Sequence, residues 1–154
     1  MNITDKPKNK DYYNLVIGID PDTDKSGVAT YSALNGLDLR NYDFINLLAF
    51  LKFFKSLDSN VYKVLIRLEA GHLIKSTWHK GGNAMAKKVG ANHEIGRQIE
   101  KACIYYGLDY ELVVPFGGSN IDHKTFNKIT GMDFKSTNPE TRVAGLLAYN
   151  YFKK

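Results

Sequence analysis

The sequence predicts a single α/β domain: a five-stranded mixed sheet, three antiparallel strands followed by parallel ones, with helices on both faces. Three short β-type runs open it at 15–19, 27–32 and 37–42, separated only by turn-length polar segments that leave no room for crossover helices. Helical and strand periods then alternate to the end of the chain. With 154 residues, 44% of them apolar and 24% charged, the chain is one globular unit rather than a disordered or fibrous one.

Each element has a local reason. Leu15-Val16-Ile17-Gly18-Ile19 is an apolar, β-branched run stopped by Asp20-Pro21-Asp22, which reads as a buried strand. Gly27-Val28-Ala29-Thr30-Tyr31-Ser32 returns antiparallel, and Asn35-Gly36 signals the turn into a third strand. From Phe44 onward Leu47, Leu48, Leu51 and Phe54 recur at helical spacing, with Lys52, Lys55 and Asp58 elsewhere on the wheel. Val61, Val64, Leu65, Ile66 and Leu68 crowd a second buried strand over 61–69 whose last residue is Glu69. Residues 71–82 read as polar loop. Met85, Val89, Ile95, Ile99, Ala102, Cys103 and Tyr106 then keep roughly helical spacing up to Gly107, the expected C-cap, while Gly90 and Gly96 weaken that helix. A fifth strand over 110–114 stops at Pro115, a loop containing Gly and Asn follows, and a last helix covers about 138–152. Residues 1–13 read as a flexible tail and 14–154 as the domain.

Composition narrows the function classes. There are 21 Lys and Arg against 16 Asp and Glu, a net charge of +5, and the pI is about 9.2. That excess suits a polyanionic partner without demanding one. The single cysteine, Cys103, makes neither an internal disulfide nor a thiolate metal cluster and fits a reducing compartment. Residues 1–11 hold no apolar run of the kind a signal peptide needs. The most apolar segment, 44–57, is interrupted by Asn46, Lys52 and Lys55 and is too short for the ~30 Å hydrocarbon core of a bilayer.

Two carboxylates, Asp20 and Glu69, each follow an apolar strand abruptly. Were those strands parallel neighbours, both acids would emerge at one sheet edge and repel each other unless cations or protons neutralised them; otherwise strand-ending acids simply meet water. Asp20-x-Asp22-x-Asp24 imitates the opening of a calcium loop, but Lys25 stands where such a loop needs Gly and Tyr31 where it needs its closing Glu. Asn138 is the expected cap of the last helix and Pro139 its first residue. Glu140 then lies in the first turn, where the helix dipole favours an acid by ~0.3–1 kcal/mol. In a functional reading it is a third oxygen donor, brought from a helix against the edge that carries Asp20 and Glu69. A zinc helix is disfavoured, since His93-Glu94 lacks the second His.

Val16-Ile17-Gly18-Ile19-Asp20-Pro21, followed by Ser26-Gly27-Val28-Ala29, resembles the opening of the RuvC-type Holliday-junction resolvases, which have the RNase H-like nuclease fold. Leu65-Ile66-Arg67-Leu68-Glu69 is similar to their second acidic strand. The runs from Gly90 to Glu100 and from Thr137 to Arg142 look like those of small resolvase-like proteins of phages and prophages. The resemblance covers nearly the whole chain from Leu15. It implies a metal-dependent endonuclease in the bacterial cytoplasm, cutting branched DNA as a homodimer, with four acidic positions holding two Mg²⁺ ions, or Mn²⁺ in their place. Asp20, Glu69 and Glu140 match the first three positions, as metal ligands and catalytic residues. The fourth falls on Val143, where the family usually carries Asp and valine coordinates nothing.

Three consequences stay open. Glu140 serves with added water, Asp133 or Asp122 substitutes, or cleavage is lost and a DNA-binding protein keeps the fold. Residues 70–88 interleave aromatic and basic side chains directly after an acidic strand. From this stretch and the helix beyond it, Lys75, Trp78, His79, Lys80, Lys87, Lys88 and Arg97 are the expected DNA contacts, suited to phosphates and to a base exposed at a branch.

Overall fold

The computed structural model describes residues 10–73 and 82–153. Its sheet consists of β1 (Leu15–Asp20), β2 (Ser26–Ser32), β3 (Gly36–Tyr42), β4 (Val64–Glu69) and β5 (Asp109–Val113), in the spatial order β3-β2-β1-β4-β5. β1 and β3 each pair antiparallel with β2, whereas β4 pairs parallel with β1 and with β5. The expected mixed sheet is therefore present. The helices are α1 (Phe44–Lys55), α2 (Gly82–Tyr106), α3 (His123–Thr130) and α4 (Pro139–Phe152).

Strand side chains alternate between faces, and the central pair divides cleanly. Ile17 and Ile19 of β1 and Ile66 and Leu68 of β4 join a core with Leu47 and Leu51 of α1 and Ile99 and Cys103 of α2. Val16 and Leu65 point the other way, into a core with Phe126 of α3 and Ala144, Leu146 and Ala148 of α4. Helices thus cover both faces, and both central strands are buried on each side. Gly18 and Gly27 let α4 lie directly on the sheet: a methyl group on Gly18 would overlap the Ala144 carbonyl, and one on Gly27 the Glu140 carbonyl. Arg67, on the α4 face, donates from Nε to Glu111 Oε2 at 3.1 Å and from a terminal nitrogen to the Leu147 carbonyl at 2.7 Å, tying β4, β5 and α4 together.

Several boundaries differ from the sequence reading. β4 starts at Val64, because the Val61 and Tyr62 N–H groups bond back to the Asp58 carbonyl at 3.0 and 2.8 Å and close a turn that leaves Val61 exposed. α2 starts at Gly82 and runs unbroken through Gly90 and Gly96. α3 falls in what reads as loop. Asp122 caps it by accepting the Thr125 N–H at 2.7 Å, and Gly131, at φ +68°, ends it. Of the segment read as a tail, residues 1–9 lie outside the described residues. Lys10–Tyr12 forms a 3₁₀ turn, and the buried Tyr13 donates its hydroxyl proton to Asp109 Oδ2 at 2.9 Å. Among the described residues no helix is long and apolar enough to cross a membrane.

Candidate metal and nucleic-acid site

The sheet register brings the first two acids together. Ile19 pairs with Leu68 across the parallel β1–β4 ladder, so the next residues, Asp20 and Glu69, leave the sheet at the same level. Side-chain alternation also gives them the same face: Val16, Gly18 and Asp20 share the α4 side, as do Leu65, Arg67 and Glu69. Asp20 in turn pairs with Gly27 of β2, and it is on Gly27 that the backbone of Glu140 rests. The third acid is therefore delivered from α4 to the register position that holds the first.

α4 is held there by its own N-terminus. Asn138 accepts the Thr141 N–H at 2.9 Å while its own N–H donates to Thr141 Oγ1 at 3.0 Å, a complete capping box. The Asn138 amide also donates to Asn41 Oδ1 of β3 at 2.7 Å, which anchors the cap to the sheet. Asn138→Ala is expected to lower stability by about 1–2 kcal/mol, read as a lower urea midpoint at unchanged m-value.

Electrostatics at the rim are those of crowded like charges. The Asp20 carboxyl is pushed up to about 8, first by burial and then by the charges of Glu69, Glu140 and Asp22. Burial also raises the Glu69 carboxyl. Among the described residues none of Asp20, Glu69 and Glu140 forms an ion pair. Nor, among those residues, do any three His, Cys, Asp or Glu side chains stand at the spacing of a finished metal site. The rim thus carries hard oxygen donors whose charges bear on Asp20, short of closing on a common centre.

Two cavities flank the acids. One, of about 240 Å³, opens beside Asp20 and Glu69 and is completed by the 3₁₀ turn Gly71–Leu73 and by Asn92, His93 and Gly96 of α2. The other, of about 330 Å³, holds Glu140 with Asp22, Asp24, Lys25, Asn41 and Asn138. Asp22 belongs with the acids although the sequence reading set it aside with the failed calcium loop. His72 falls in the 70–88 stretch read as suited to phosphates, although it is not one of the expected contacts, and Asn92 and His93 are not among the expected site residues.

At Val143, where the resemblance leads one to expect an acid, the chain has a packed methyl pair. Val143 is only 2% exposed and sets Cγ2 against Gly118. Asp122 and Asp133 line neither cavity. Hydrogen bonds from Thr125 to the Asp122 carboxylate hold its pKa below the usual range, consistent with its use as a cap.

The expected DNA contacts divide. Lys75, Trp78, His79 and Lys80 lie outside the described residues. Lys87 and Lys88 are exposed on the first half of α2, and Arg97 is exposed further along it, paired with Glu94 at 3.4 Å. None of the three lines either rim cavity.

No family model matches the sequence, and no curated protein does. Among solved structures the chain is similar to RuvC of Thermus thermophilus in complex with a Holliday junction substrate, with a TM-score of 0.50 and 12% identity over 88% of this chain and 90% of that one. A second Thermus thermophilus RuvC structure matches with a TM-score of 0.45 and 13% identity over 87% and 90%. At this identity the likeness speaks for architecture alone: the chain has the RNase H-like fold of RuvC.

Proposed function

We propose that this protein is a divalent-metal-dependent endonuclease of branched DNA, resembling a Holliday-junction resolvase, in which Asp20, Glu69 and Glu140 hold Mg²⁺ or Mn²⁺. One observation carries the reading. The charges of Glu69 and Glu140, from separate elements, bear on Asp20 at one sheet rim, and among the described residues none of the three acids forms an ion pair. A partly buried group of like charges is costly unless something neutralises it, and oxygen donors select hard cations.

The donor set fits such an ion, since Mg²⁺ keeps several waters and needs only one or two protein carboxylates at each site. When bound, it would supply Lewis-acid stabilisation of charge at the phosphodiester and a water of lowered pKa. The chain's own task is placement: parallel register levels Asp20 with Glu69, and the Asn138 cap presents Glu140. The exposed Lys87, Lys88 and Arg97, with Lys75, Trp78, His79 and Lys80 of the preceding segment, would contact the strands, so affinity should fall steeply with salt. The partner in this reading is branched DNA, which a homodimer would engage through two rims.

A second reading is favoured by Val143. Its buried methyl groups replace a carboxylate, and a protein with a weakened second ion could bind junctions without cutting them. Incubation with a labelled four-way junction and with linear duplex, in Mg²⁺, Mn²⁺ and EDTA, tests both. The nuclease reading expects cuts near the branch that need metal. A chain that binds the junction and leaves it intact in both metals establishes the second reading, and equal affinity for junction and duplex removes both.

A further inference from the structure

The cavity beside Asp20 and Glu69 has a second wall that metal binding leaves unused. His72, in the turn after β4, lies against Gly96 of α2; a methyl group on Gly96 would come within 3.4 Å of the His72 Nδ1. His93 of α2 lies reciprocally against Gly71, where a methyl group would come within 3.0 Å of Nε2. Two elements far apart in sequence thus each give up a side chain to seat the other's imidazole, and both rings line the cavity that holds the two acids.

The polar atoms of this wall point to a missing partner. His72 Nδ1 is buried and makes no hydrogen bond among the described residues, an omission that costs about 1–3 kcal/mol in a folded protein. Asn92 shares the wall; its Oδ1 already accepts the Thr23 N–H at 3.0 Å, so the amide nitrogen is the end left to donate. Among the described residues no Lys or Arg lines this cavity. That choice matters, because an ammonium or guanidinium there would pair with Asp20 and Glu69 and compete with a metal. Imidazole and amide N–H groups donate to an anionic oxygen without displacing the cations that the acids need.

We propose that His72, Asn92 and His93 form a phosphodiester-binding wall opposite Asp20 and Glu69, which seats one backbone phosphate of the DNA strand between imidazole and amide groups and the carboxylate rim. The proposal rests on the nuclease reading and adds the groups that position its substrate.

The test is a binding cycle, independent of cleavage, between protein variants and substrate phosphates. Four-way junctions carrying one neutral methylphosphonate at each phosphate near the branch are titrated in Ca²⁺ against the wild type, His72→Ala, His93→Ala and Asn92→Ala. In the wild type one position is expected to weaken binding about tenfold, the value of a charge-assisted hydrogen bond. In His93→Ala, or in His72→Ala, the same substitution should cost less than about twofold while the other positions keep their effects. His93→Gln, which restores an N–H donor, should recover part of the discrimination. Thermal melting identifies any variant that fails to fold, and the remaining two then decide. Should all folded variants keep the full penalty at every position, the wall binds no phosphate. A wild type that prefers the junction no more than duplex overturns the nuclease reading and this assignment with it.

Discussion

Asp20→Asn is expected to abolish metal-dependent cleavage, by at least about 10³-fold, while making the metal-free protein more stable at pH 8.5. The two effects have one cause. In the unfolded chain the Asp20 carboxyl ionises near 3.8; in the folded protein burial and the charges of Glu69, Glu140 and Asp22 raise it to about 8. Between those pH values the folded state keeps a proton that the unfolded state has released. Stability associated with this group is therefore complete below about pH 4 and declines as pH rises towards 8, by up to about 6 kcal/mol. Asparagine is neutral throughout, so its curve over that window should be flatter. A divalent cation does for the wild type what protonation does at low pH. Mg²⁺ should accordingly raise the melting temperature of the wild type more at pH 8.5 than at pH 5.5, and that of Asp20→Asn little at either. Scanning fluorimetry across pH reads all three effects. A variant less stable than the wild type at pH 8.5 without metal contradicts the picture of crowded charge at the rim.

Gly27→Ala is expected to remove both fold stability and function although it adds a single methyl group. The new carbon would overlap the Glu140 carbonyl, its carbonyl carbon and the Thr141 nitrogen, which are backbone atoms that no rotamer change can move. Either α4 lifts off the sheet or the hairpin shifts, at a cost of about 3 kcal/mol or more. Because Gly27 pairs with Asp20, a lifted α4 also carries Glu140 away from the first acid. A loss in urea midpoint together with weaker Mg²⁺-induced stabilisation is the expected pair of results. An equally large loss should follow from Gly18→Ala, under the next turn of α4, where the Ala144 carbonyl stands in the way. Alanine tolerated at either site would mean that α4 does not sit this close.

Much of this architecture was written locally. The run 15–19 is apolar without a break and 64–68 is interrupted only by Arg67, because both faces of their strands are covered, and each run is followed directly by a carboxylate at the sheet rim. The Asn138-Pro139-Glu140 start of α4 could be read from capping chemistry alone. The eight-residue α3 escaped detection for an equally physical reason. With Phe126 and Thr130 as its buried positions it shows less than two turns of apolar period, and its best marks, Asp122 before it and Gly131 after it, are residues that loops also use. The start of β4 was misjudged because Val61 is as apolar as the strand, yet its N–H is taken by the Asp58 carbonyl in a turn.

Strand identity, helix caps and the three acids follow from side-chain chemistry acting within a few residues, which is why the linear chain states them. Which acids meet is a matter of register and close approach. Parallel pairing levels Asp20 with Glu69, and two bare glycine surfaces admit α4 so that Glu140 arrives opposite the first of them. The imidazole wall of His72 and His93 is likewise a product of packing between a turn and a helix some twenty residues apart, because no local rule couples a histidine on one element to a glycine on another.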